Sequence, residues 1–482
     1  MTPAMTNDEF DQLRADYDVI PVVRELSADT LTPVAAFSAL STDAEAFLFE
    51  SVERGENLGR YSFVGFDPRR NLTFDASMAD PIRVLNDELV PLRVHGEEKL
   101  PPFFGGAVGY FGYGVATWSE RIPDTHRDEY GIPDAKLLFF DNVVVFDHVR
   151  QRLYVIANIF TKDAHASLAD AERRLDTAID RLRNGRVEPL EFPRDVAPAD
   201  FACNLEREQF EAMIRAAKEE IAAGEIFQIV LSQRWSTEFA EADALTLYRV
   251  LRSINPSPYM FLLRTSECTL VGASPEMLVR VTHGLAETRP IAGTRPRGRT
   301  REEDEQLAQA LVADPKENAE HLMLVDLGRN DIGRIAASGS VEVSDFRHVE
   351  RYSHVMHLVT DVSGRLRDDR SPVDAFLSCF PAGTVSGAPK IRAMELIDQL
   401  ERTRRGPYAG AVAYAGFSGN LDSCITIRTI ILARGQAFVQ AGAGIVYDSD
   451  PPTEWEETVN KSAALRQAVS VAKALVIGTR RP

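Results

Sequence analysis

Short apolar runs follow one another through the first third of the chain. Gly, Pro and Asp residues separate four of these runs, at residues 46–49, 61–66, 136–146 and 152–159. Runs of this length, with alternating or continuous apolar character, are typical of β-strands. The pattern predicts a mostly β segment from Val19 to about Phe160, preceded by a polar arm over residues 1–16.

The next segment has the period of a helix. Apolar side chains recur three or four positions apart, at Leu168, Ala171, Leu175, Ile179 and Leu182. This spacing places them on one face of an α-helix, which we predict over residues 162–184. Residues 184–200 then carry one Gly and three Pro, and we predict that they form a linker.

Helices and strands come in blocks in the second half. Helical patterns cover residues 207–223 (ended by Gly224), 302–312, 314–327 and 453–476. Strand patterns cover residues 226–235, 259–263, 269–274, 277–281, 409–417, 424–433 and 436–443. Blocks of each kind, rather than strict alternation, favour an α+β fold with a large, mostly antiparallel sheet.

Composition and charge narrow the class of protein. The chain has 482 residues and a net charge of −18, which disfavours a nucleic-acid-binding protein because that class needs a basic surface. The four cysteines form no C-x-x-C pair, so neither a zinc site nor a disulfide framework is indicated. No apolar run reaches about 18 residues, and the acidic N-terminus does not resemble a signal peptide. We therefore expect no membrane segment and a cytoplasmic location.

Two pairs of glutamates stand near predicted helix starts. Asp314-Pro315 suits a helix start, because Asp can cap the helix and Pro fits its first turn. Glu317 and Glu320 follow three positions apart, and Glu454 and Glu457 repeat that spacing. Each pair would lie on one helix face. If the pairs faced one another, they could supply oxygen ligands to Mg²⁺; singly, each pair would only offset the helix dipole.

Other candidates are an arginine, small residues and a histidine pair. Arg428 lies within an apolar strand-like run, where a buried cation calls for an anionic partner. Residues 440–444 and 289–295 carry small residues whose backbone can approach an anion. His354 and His357, three positions apart, would share one face of a helix. The chain has no G-x-S-x-G elbow and no comparable Cys elbow, so we expect neither covalent acyl chemistry nor glutamine hydrolysis.

Several long motifs in a fixed order resemble one enzyme family. They are FPAGTVSGAPK at 380–390, VDLGRND at 325–331, QAGAG at 440–444, ETVNK at 457–461, ES at 50–51, GRYS at 59–62 and GGAVGYFGYG at 105–114. These motifs resemble the signatures of the chorismate-utilising enzymes, and most of all those of the anthranilate synthase component I group. The resemblance implies an α+β fold, a four-layer α/β/β/α sandwich with large, mostly antiparallel sheets flanked by helices.

The resemblance also implies a division of the chain. Residues 17–160 would form an N-terminal region that contributes to the sandwich and carries a regulatory tryptophan site. Residues 161–204 would be a helix and linker, and residues 205–470 the chorismate-binding catalytic domain.

The same resemblance implies roles for individual residues. Glu320 and Glu457 would be direct Mg²⁺ ligands, and Glu317 and Glu454 partial or water-mediated ones. Chorismate contacts are implied for Gly293, Thr294, Tyr408, Arg428, Gly442, Ala443, Gly444 and Lys461. His357 and Glu276 would take acid and base roles, with Glu276 as the acid for the departing hydroxyl. A tryptophan site is implied at Glu50, Ser51, Pro258, Tyr259 and Met260.

Within this family, the residue types at two positions indicate which reaction a member catalyses. Isochorismate and salicylate synthases carry a water-activating Lys where this chain has Gln228, which cannot act as a base at neutral pH, so ammonia is the expected nucleophile. Many aminodeoxychorismate synthases carry a Lys that attacks the ring, and Ala292 stands in its place here. The resemblance thus implies a lyase that forms anthranilate and pyruvate in the first step of tryptophan biosynthesis.

The same resemblance implies partner molecules and leaves two alternative functions open. Ammonia would come from a separate glutamine amidotransferase subunit in a hetero-oligomer such as a heterotetramer, and tryptophan would act as a feedback inhibitor. The nearest alternative is aminodeoxychorismate synthase component I. A second alternative, from another class, is a catalytically inactive subunit that senses tryptophan.

Overall fold

The strands build two large sheets. The computed structural model describes residues 5–41, 45–51, 59–75, 77–351 and 355–479. The strands are β1 (Val19–Ser27), β2 (Ala46–Glu50), β3 (Tyr61–Gly65), β4 (Arg70–Phe74), β5 (Gly106–Phe111), β6 (Ala135–Phe140), β7 (Asn142–Asp147), β8 (Arg152–Phe160), β9 (Ala202–Cys203), β10 (Gln228–Glu238), β11 (Tyr259–Arg264), β12 (Thr269–Ser274), β13 (Met277–Thr282), β14 (Leu285–Thr288), β15 (Ile291–Pro296), β16 (Glu342–Arg351), β17 (Val355–Arg365), β18 (Gly387–Ala388), β19 (Ala411–Gly416), β20 (Leu421–Ile425), β21 (Thr429–Ala433) and β22 (Gln436–Ile445).

The helices flank these sheets. They are α1 (Asn7–Leu13), α2 (Pro33–Leu40), α3 (Pro81–Glu88), α4 (Leu168–Arg183), α5 (Arg207–Ala222), α6 (Ala244–Ile254), α7 (Arg301–Ala313), α8 (Pro315–Gly333), α9 (Pro372–Cys379), α10 (Lys390–Leu400) and α11 (Pro451–Thr479). Short 3-10 turns cover residues 97–99, 113–118, 241–243 and 383–385.

The pairing of the strands is antiparallel throughout both sheets. Sheet 1 has the order β1-β8-β7-β3-β2-β11-β12-β21-β22-β10-β18, with β9 also paired to β10. Sheet 2 has the order β15-β17-β14-β13-β20-β19-β5-β6-β4, with β16 also paired to β17. Each sheet takes strands from both halves of the chain, so residues 17–160 and 205–470 interleave in one sandwich. The division of the chain into these regions stays a prediction.

Three buried apolar layers separate four structural layers. Phe103, Phe140 and Phe261 belong to the core between the two sheets. The outer face of sheet 1 packs against α2, α4, α6 and α11, and that of sheet 2 packs against α3, α8, α9 and α10. The predicted α/β/β/α sandwich is confirmed.

Burial on both faces explains why the strands read as continuous apolar runs. In β6, Leu138 and Phe140 face the core between the sheets, whereas Leu137 and Phe139 face the helices. Because neighbouring side chains point to opposite faces of a strand, each face of β6 needs apolar residues. Alternation is therefore weak wherever a sheet is covered on both sides.

Two predicted strands are each two strands in different sheets. The run 136–146 splits at Asp141 into β6 of sheet 2 and β7 of sheet 1. Asn158 stabilises the crossing, since its Nδ2 donates to the carbonyl oxygens of Phe104 (2.9 Å) and Asp141 (3.0 Å). The run 424–433 likewise splits into β20 of sheet 2 and β21 of sheet 1. Apolar content alone does not reveal these crossings, because both sheets bury their strands.

The N-terminal arm and the linker were also predicted from the sequence, and the structure describes most of both. The described part of the predicted polar arm contains a helix, α1, begun by a capping box in which Thr6 accepts from Glu9 N and Glu9 accepts from Thr6 N. The helix predicted over 162–184 is α4, and residues 184–201 contain no helix or strand. Within the described residues, no helix is both long enough and apolar enough to cross a membrane.

Candidate active site

Two helix starts carry the predicted carboxylate pairs. Asp314 caps α8 as predicted, because its Oδ1 accepts from the backbone N–H of Lys316 (2.9 Å) and Glu317 (3.2 Å). Helix α11 begins earlier than predicted, at Pro451. Asp450 accepts from Thr453 N at 3.2 Å, so Thr453 lies within the first turn.

The carboxylates of the two helices act on one another electrostatically. Burial raises the pKa of Glu320, and the negative charges of Glu317 and Glu457 raise it further. Burial also raises the pKa of Glu454, with a further contribution from Glu457. Like charges on both helices therefore concentrate negative potential at one place, which is the arrangement that attracts a cation.

Cationic side chains hold two of these carboxylates. Lys461 Nζ lies 2.5 Å from Glu457 Oε1, and Arg295 Nη1 lies 2.9 Å from Glu317 Oε1. Among the residues that the structure describes, no three Asp, Glu, His or Cys side chains are grouped tightly enough to hold a metal ion. The donor set is all carboxylate, which fits a hard divalent cation. Binding of such an ion requires the glutamates of the two helices to approach one another more closely.

Arg428 lies at a chain crossing rather than inside a strand. It stands between β20 and β21 with φ of 50°, where the chain passes from sheet 2 to sheet 1. Its Nη1 donates to the carbonyl oxygen of Lys461 at 2.5 Å, and burial lowers the pKa of its guanidinium. Together with Glu457 and Lys461 it lines a shallow depression. This corrects the prediction of an arginine within a continuous strand.

Small residues of β22 make room for two polar side chains. A Cβ at Gly442 would lie 2.8 Å from the hydroxyl of Tyr408, and one at Gly444 would lie 2.9 Å from Gln228 Nε2. Lys461 Nζ also donates to the carbonyl oxygen of Gly442 at 3.1 Å. Ala443 between them is fully buried in the core beside α5 and α10, so its side chain faces that core.

Gln228 presents an unpartnered amide oxygen. The residue is 6% exposed and begins β10, opposite Ala388. Its Oε1 is buried and accepts no hydrogen bond within the described part of the chain. An unsatisfied buried acceptor is costly, so this oxygen is suited to receive an N–H or O–H donor from a ligand.

Glu276 follows β12 and is held by a residue to which the sequence pattern assigned no role. Thr384 Oγ1 donates to Glu276 Oε1 at 2.9 Å. Burial raises the pKa of Glu276 to about 7, although the Thr384 hydrogen bond and the charge of Lys461 lower it. Thr384 lies within the motif at 380–390, yet only the folded chain brings it to Glu276, more than 100 positions away in sequence.

His357 lies on strand β17, so the predicted helix around the histidine pair is wrong. Its Nδ1 donates to the carbonyl oxygen of Gly293 at 2.9 Å and lies 3.2 Å from Thr294 Oγ1. Burial lowers the pKa of the ring, which favours neutral imidazole. A Cβ at Gly293, where φ is 67°, would lie 3.0 Å from Glu317 Oε2. His354 lies outside the described residues.

The five predicted tryptophan contacts lie together in a different place. Glu50, Ser51, Pro258, Tyr259 and Met260 all line one cavity of about 350 Å³, whose walls come from β2 and β11 of sheet 1 and β13, β19 and β20 of sheet 2. The Glu50 carboxylate accepts hydrogen bonds from Tyr248 (2.5 Å) and Arg252 (3.0 Å). The cavity is separate from the carboxylates of α8 and α11.

Comparison with known proteins identifies the family. A family model described as chorismate binding enzyme matches residues 44–467. The anthranilate synthase component 1 of Acetivibrio thermocellus is 45% identical over 97% of this chain and 98% of its own length. That of Thermus thermophilus is 46% identical over 94% of this chain and 98% of its own. The crystal structure of anthranilate synthase component I from Streptococcus pneumoniae matches 92% of this chain and 99% of that chain with a TM-score of 0.78 and 38% identity. The chain therefore belongs to the family of chorismate-binding enzymes.

Proposed function

We propose that this chain catalyses the Mg²⁺-dependent conversion of chorismate and ammonia to anthranilate, pyruvate and water, which is the lyase reaction of anthranilate synthase. Relatives of that name match it over nearly their whole length. The observation that carries the choice of nucleophile is the neutral, buried Gln228 with its unpartnered amide oxygen. No base for activating water stands at this position.

Substrate binding uses the cations and the small residues of the site. Chorismate is a dianion, and the buried guanidinium of Arg428 suits a carboxylate as its partner. Lys461, Tyr408 and the backbone of 442–444 surround that position, and Gly293 and Thr294 line the side that carries His357. Burial makes each charge-assisted contact stronger than it is in water.

The metal belongs to the face formed by α8 and α11. Glu320 and Glu457 would be its direct ligands, and Glu317 and Glu454 would complete the set directly or through water. A bound Mg²⁺ neutralises the ring carboxylate and acts as a Lewis acid. Lys461 and Arg295, which pair with Glu457 and Glu317, would offset part of the negative charge of this set.

Gln228 orients the nucleophile. Its Oε1 accepts one N–H of ammonia, and this leaves the nitrogen lone pair free to attack C2 of the ring. As the C2–N bond forms, both ring double bonds shift by one position and the C4 hydroxyl departs. Glu276 donates the proton to that oxygen, so water leaves. A pKa of about 7 suits a general acid at neutral pH, because the proton is both present and transferable.

The second half of the reaction eliminates pyruvate. The proton at C2 is removed and the bond between ring C3 and the enolpyruvyl oxygen breaks, which makes the ring aromatic. The departing enol gains a proton at its methylene carbon and becomes pyruvate. His357, with a neutral ring whose Nδ1 is bonded to Gly293 O, can accept a proton at Nε2. Ala292 offers no amine to form a covalent adduct with the ring, which favours direct release of anthranilate over an aminodeoxychorismate product.

The remaining proposals concern partners and regulation. Ammonia comes from a separate glutamine amidotransferase subunit in a hetero-oligomer, and the reaction takes place in the cytoplasm. Tryptophan inhibits the enzyme by binding in the cavity of Glu50 and Tyr259. The volume of about 350 Å³ accommodates an indole, and the apolar wall of Pro258 and Met260 suits the ring.

One assay tests the main proposal. The purified chain is mixed with chorismate, MgCl₂ and an ammonium salt at mildly alkaline pH, and anthranilate is followed by its fluorescence and pyruvate by a coupled assay. Equal amounts of the two products, lost on adding EDTA, are expected. Consumption of chorismate without anthranilate would indicate the aminodeoxychorismate reaction. Binding of tryptophan without any turnover would favour an inactive sensor.

A further inference from the structure

A buried ion pair lies behind the proposed site and takes no part in the chemistry described above. The side chains of Arg405 and Glu401 are only 2% and 6% exposed. Arg405 Nε donates to Glu401 Oε2 at 2.8 Å and Nη2 donates to Oε1 at 2.6 Å. A buried pair of this kind adds little net stability relative to apolar residues of the same volume, because desolvating two charges is costly. Its contacts with other segments therefore need explanation.

The pair binds the backbone of two site segments. Arg405 Nη1 donates to the carbonyl oxygen of Val385 and Nη2 to that of Val230, each at 2.7 Å. Val385 follows Thr384, the residue that hydrogen bonds to Glu276. Val230 lies two residues after Gln228 on β10 and is paired with Gly444. Each carbonyl is thus within two residues of a group that the reaction uses.

The same pair also contacts Ser232 of strand β10 and Tyr408. Glu401 Oε1 accepts from both the backbone N and the Oγ of Ser232 at 2.8 Å. The Arg405 guanidinium lies 5.7 Å from the centre of the Tyr408 ring, and its own carbonyl accepts from Tyr408 N at 3.3 Å. One side chain therefore touches the loop of Thr384, the strand of Gln228 and the segment of Tyr408.

We propose that the Arg405–Glu401 pair is a positioning device that holds the Thr384 loop against strand β10 and so places the acid Glu276 relative to the nucleophile at Gln228. The inference rests on the proposed amination of chorismate. The planar fork of arginine is needed, since it donates in several fixed directions at once to one carboxylate and two carbonyls. Lysine has one nitrogen at the end of a flexible stem and cannot reproduce these contacts.

The test is the pH dependence of kcat in Arg405→Lys. If the Thr384 loop shifts, Glu276 loses the hydrogen bond that favours its charged form, and its pKa rises. Lys461 of α11 faces Glu276 and is unchanged in the variant. The concentration of neutral ammonia is held constant and saturating. Under these conditions the alkaline limb of the kcat–pH profile should shift to higher pH by about one unit, as expected for losing one hydrogen bond to a charged group. Thr384→Val should give the same shift, and the double variant no further shift.

A control variant and a second test variant complete the experiment. Lys136→Met removes a different ion pair, the 2.7 Å contact of the buried Lys136 with the partly exposed Glu267, and should lower thermal stability without shifting the alkaline limb. Glu401→Gln keeps the volume and one acceptor oxygen, and gives a second measurement of the same limb if Arg405→Lys does not fold. A wild-type chain without turnover would refute the proposed function and this inference with it. An active wild type, with the limb unmoved in Arg405→Lys or Glu401→Gln but moved in Thr384→Val, would overturn the inference alone.

Discussion

Replacing Glu276 with glutamine should stabilise the protein above neutral pH while removing its activity. Burial raises the pKa of this carboxyl from its ordinary value of 4.5 to about 7. The folded chain therefore holds the proton more tightly than the unfolded chain. The stability that this group contributes is fully present below about pH 4.5 and is lost as the pH rises through 7.

The size of the effect follows from the same two pKa values. Their difference is about 2.5, and each pH unit corresponds to about 1.4 kcal/mol. At pH 8 the ionised Glu276 therefore costs roughly 3 kcal/mol that an uncharged amide does not. Glu276→Gln should thus gain about that much relative to wild type between pH 4.5 and pH 8, and lose about 10²- to 10⁴-fold in kcat because the proton donor is absent.

Urea unfolding of both proteins at several pH values measures this. The quantity of interest is the difference between their free energies of unfolding, which cancels most other titrating groups. Glu208→Gln, at an exposed glutamate of α5, is the matched control for the effect of the substitution itself. A difference for Glu276→Gln that stays constant from pH 4.5 to pH 8 would refute the argument that this carboxyl is buried and protonated near neutrality.

Three further predictions concern the metal, the regulatory cavity and the core. Glu320→Ala or Glu457→Ala should lower kcat by at least about a hundredfold, because metal stabilisation amounts to several kcal/mol, and a magnesium titration checks this; activity that survives EDTA in the wild type would contradict it. Ser51→Phe fills the cavity of Glu50 and Tyr259, and should raise the tryptophan concentration for half inhibition by more than about tenfold, equal to 1.4 kcal/mol; unchanged inhibition would argue against that site. Phe140→Ala removes a fully buried ring from the core between the sheets and should cost about 3 to 5 kcal/mol of unfolding free energy, measured by chemical denaturation.

Local sequence patterns were sufficient to predict an element when all the residues that specify it lie within that element. The helix α4 follows from apolar residues at helical spacing, and the start of α8 follows from Asp314-Pro315, because capping and periodicity act within a few residues. The order of several long motifs was sufficient to predict the family, and with it the four-layer sandwich.

Contacts across the sandwich were decided only by the tertiary structure. The apolar runs continue on both sides of the polar residues where β6 passes to β7 (Asp141-Asn142) and β20 to β21 (Arg428), since both sheets are buried on both faces. For the same reason Arg428 was predicted inside a strand, although it stands at a crossing.

The site itself shows the same division. The acids, cations and glycines of the site, and their spacing along each helix and strand, can be read from the amino-acid sequence without the fold. Folding alone brings Thr384 to Glu276, leaves the buried Gln228 oxygen without a partner among the described residues, and lets Arg405 bridge the Thr384 loop and strand β10. Hydrogen bonds and desolvation depend on distances between residues far apart in the chain, and those distances exist only after the two sheets have packed together.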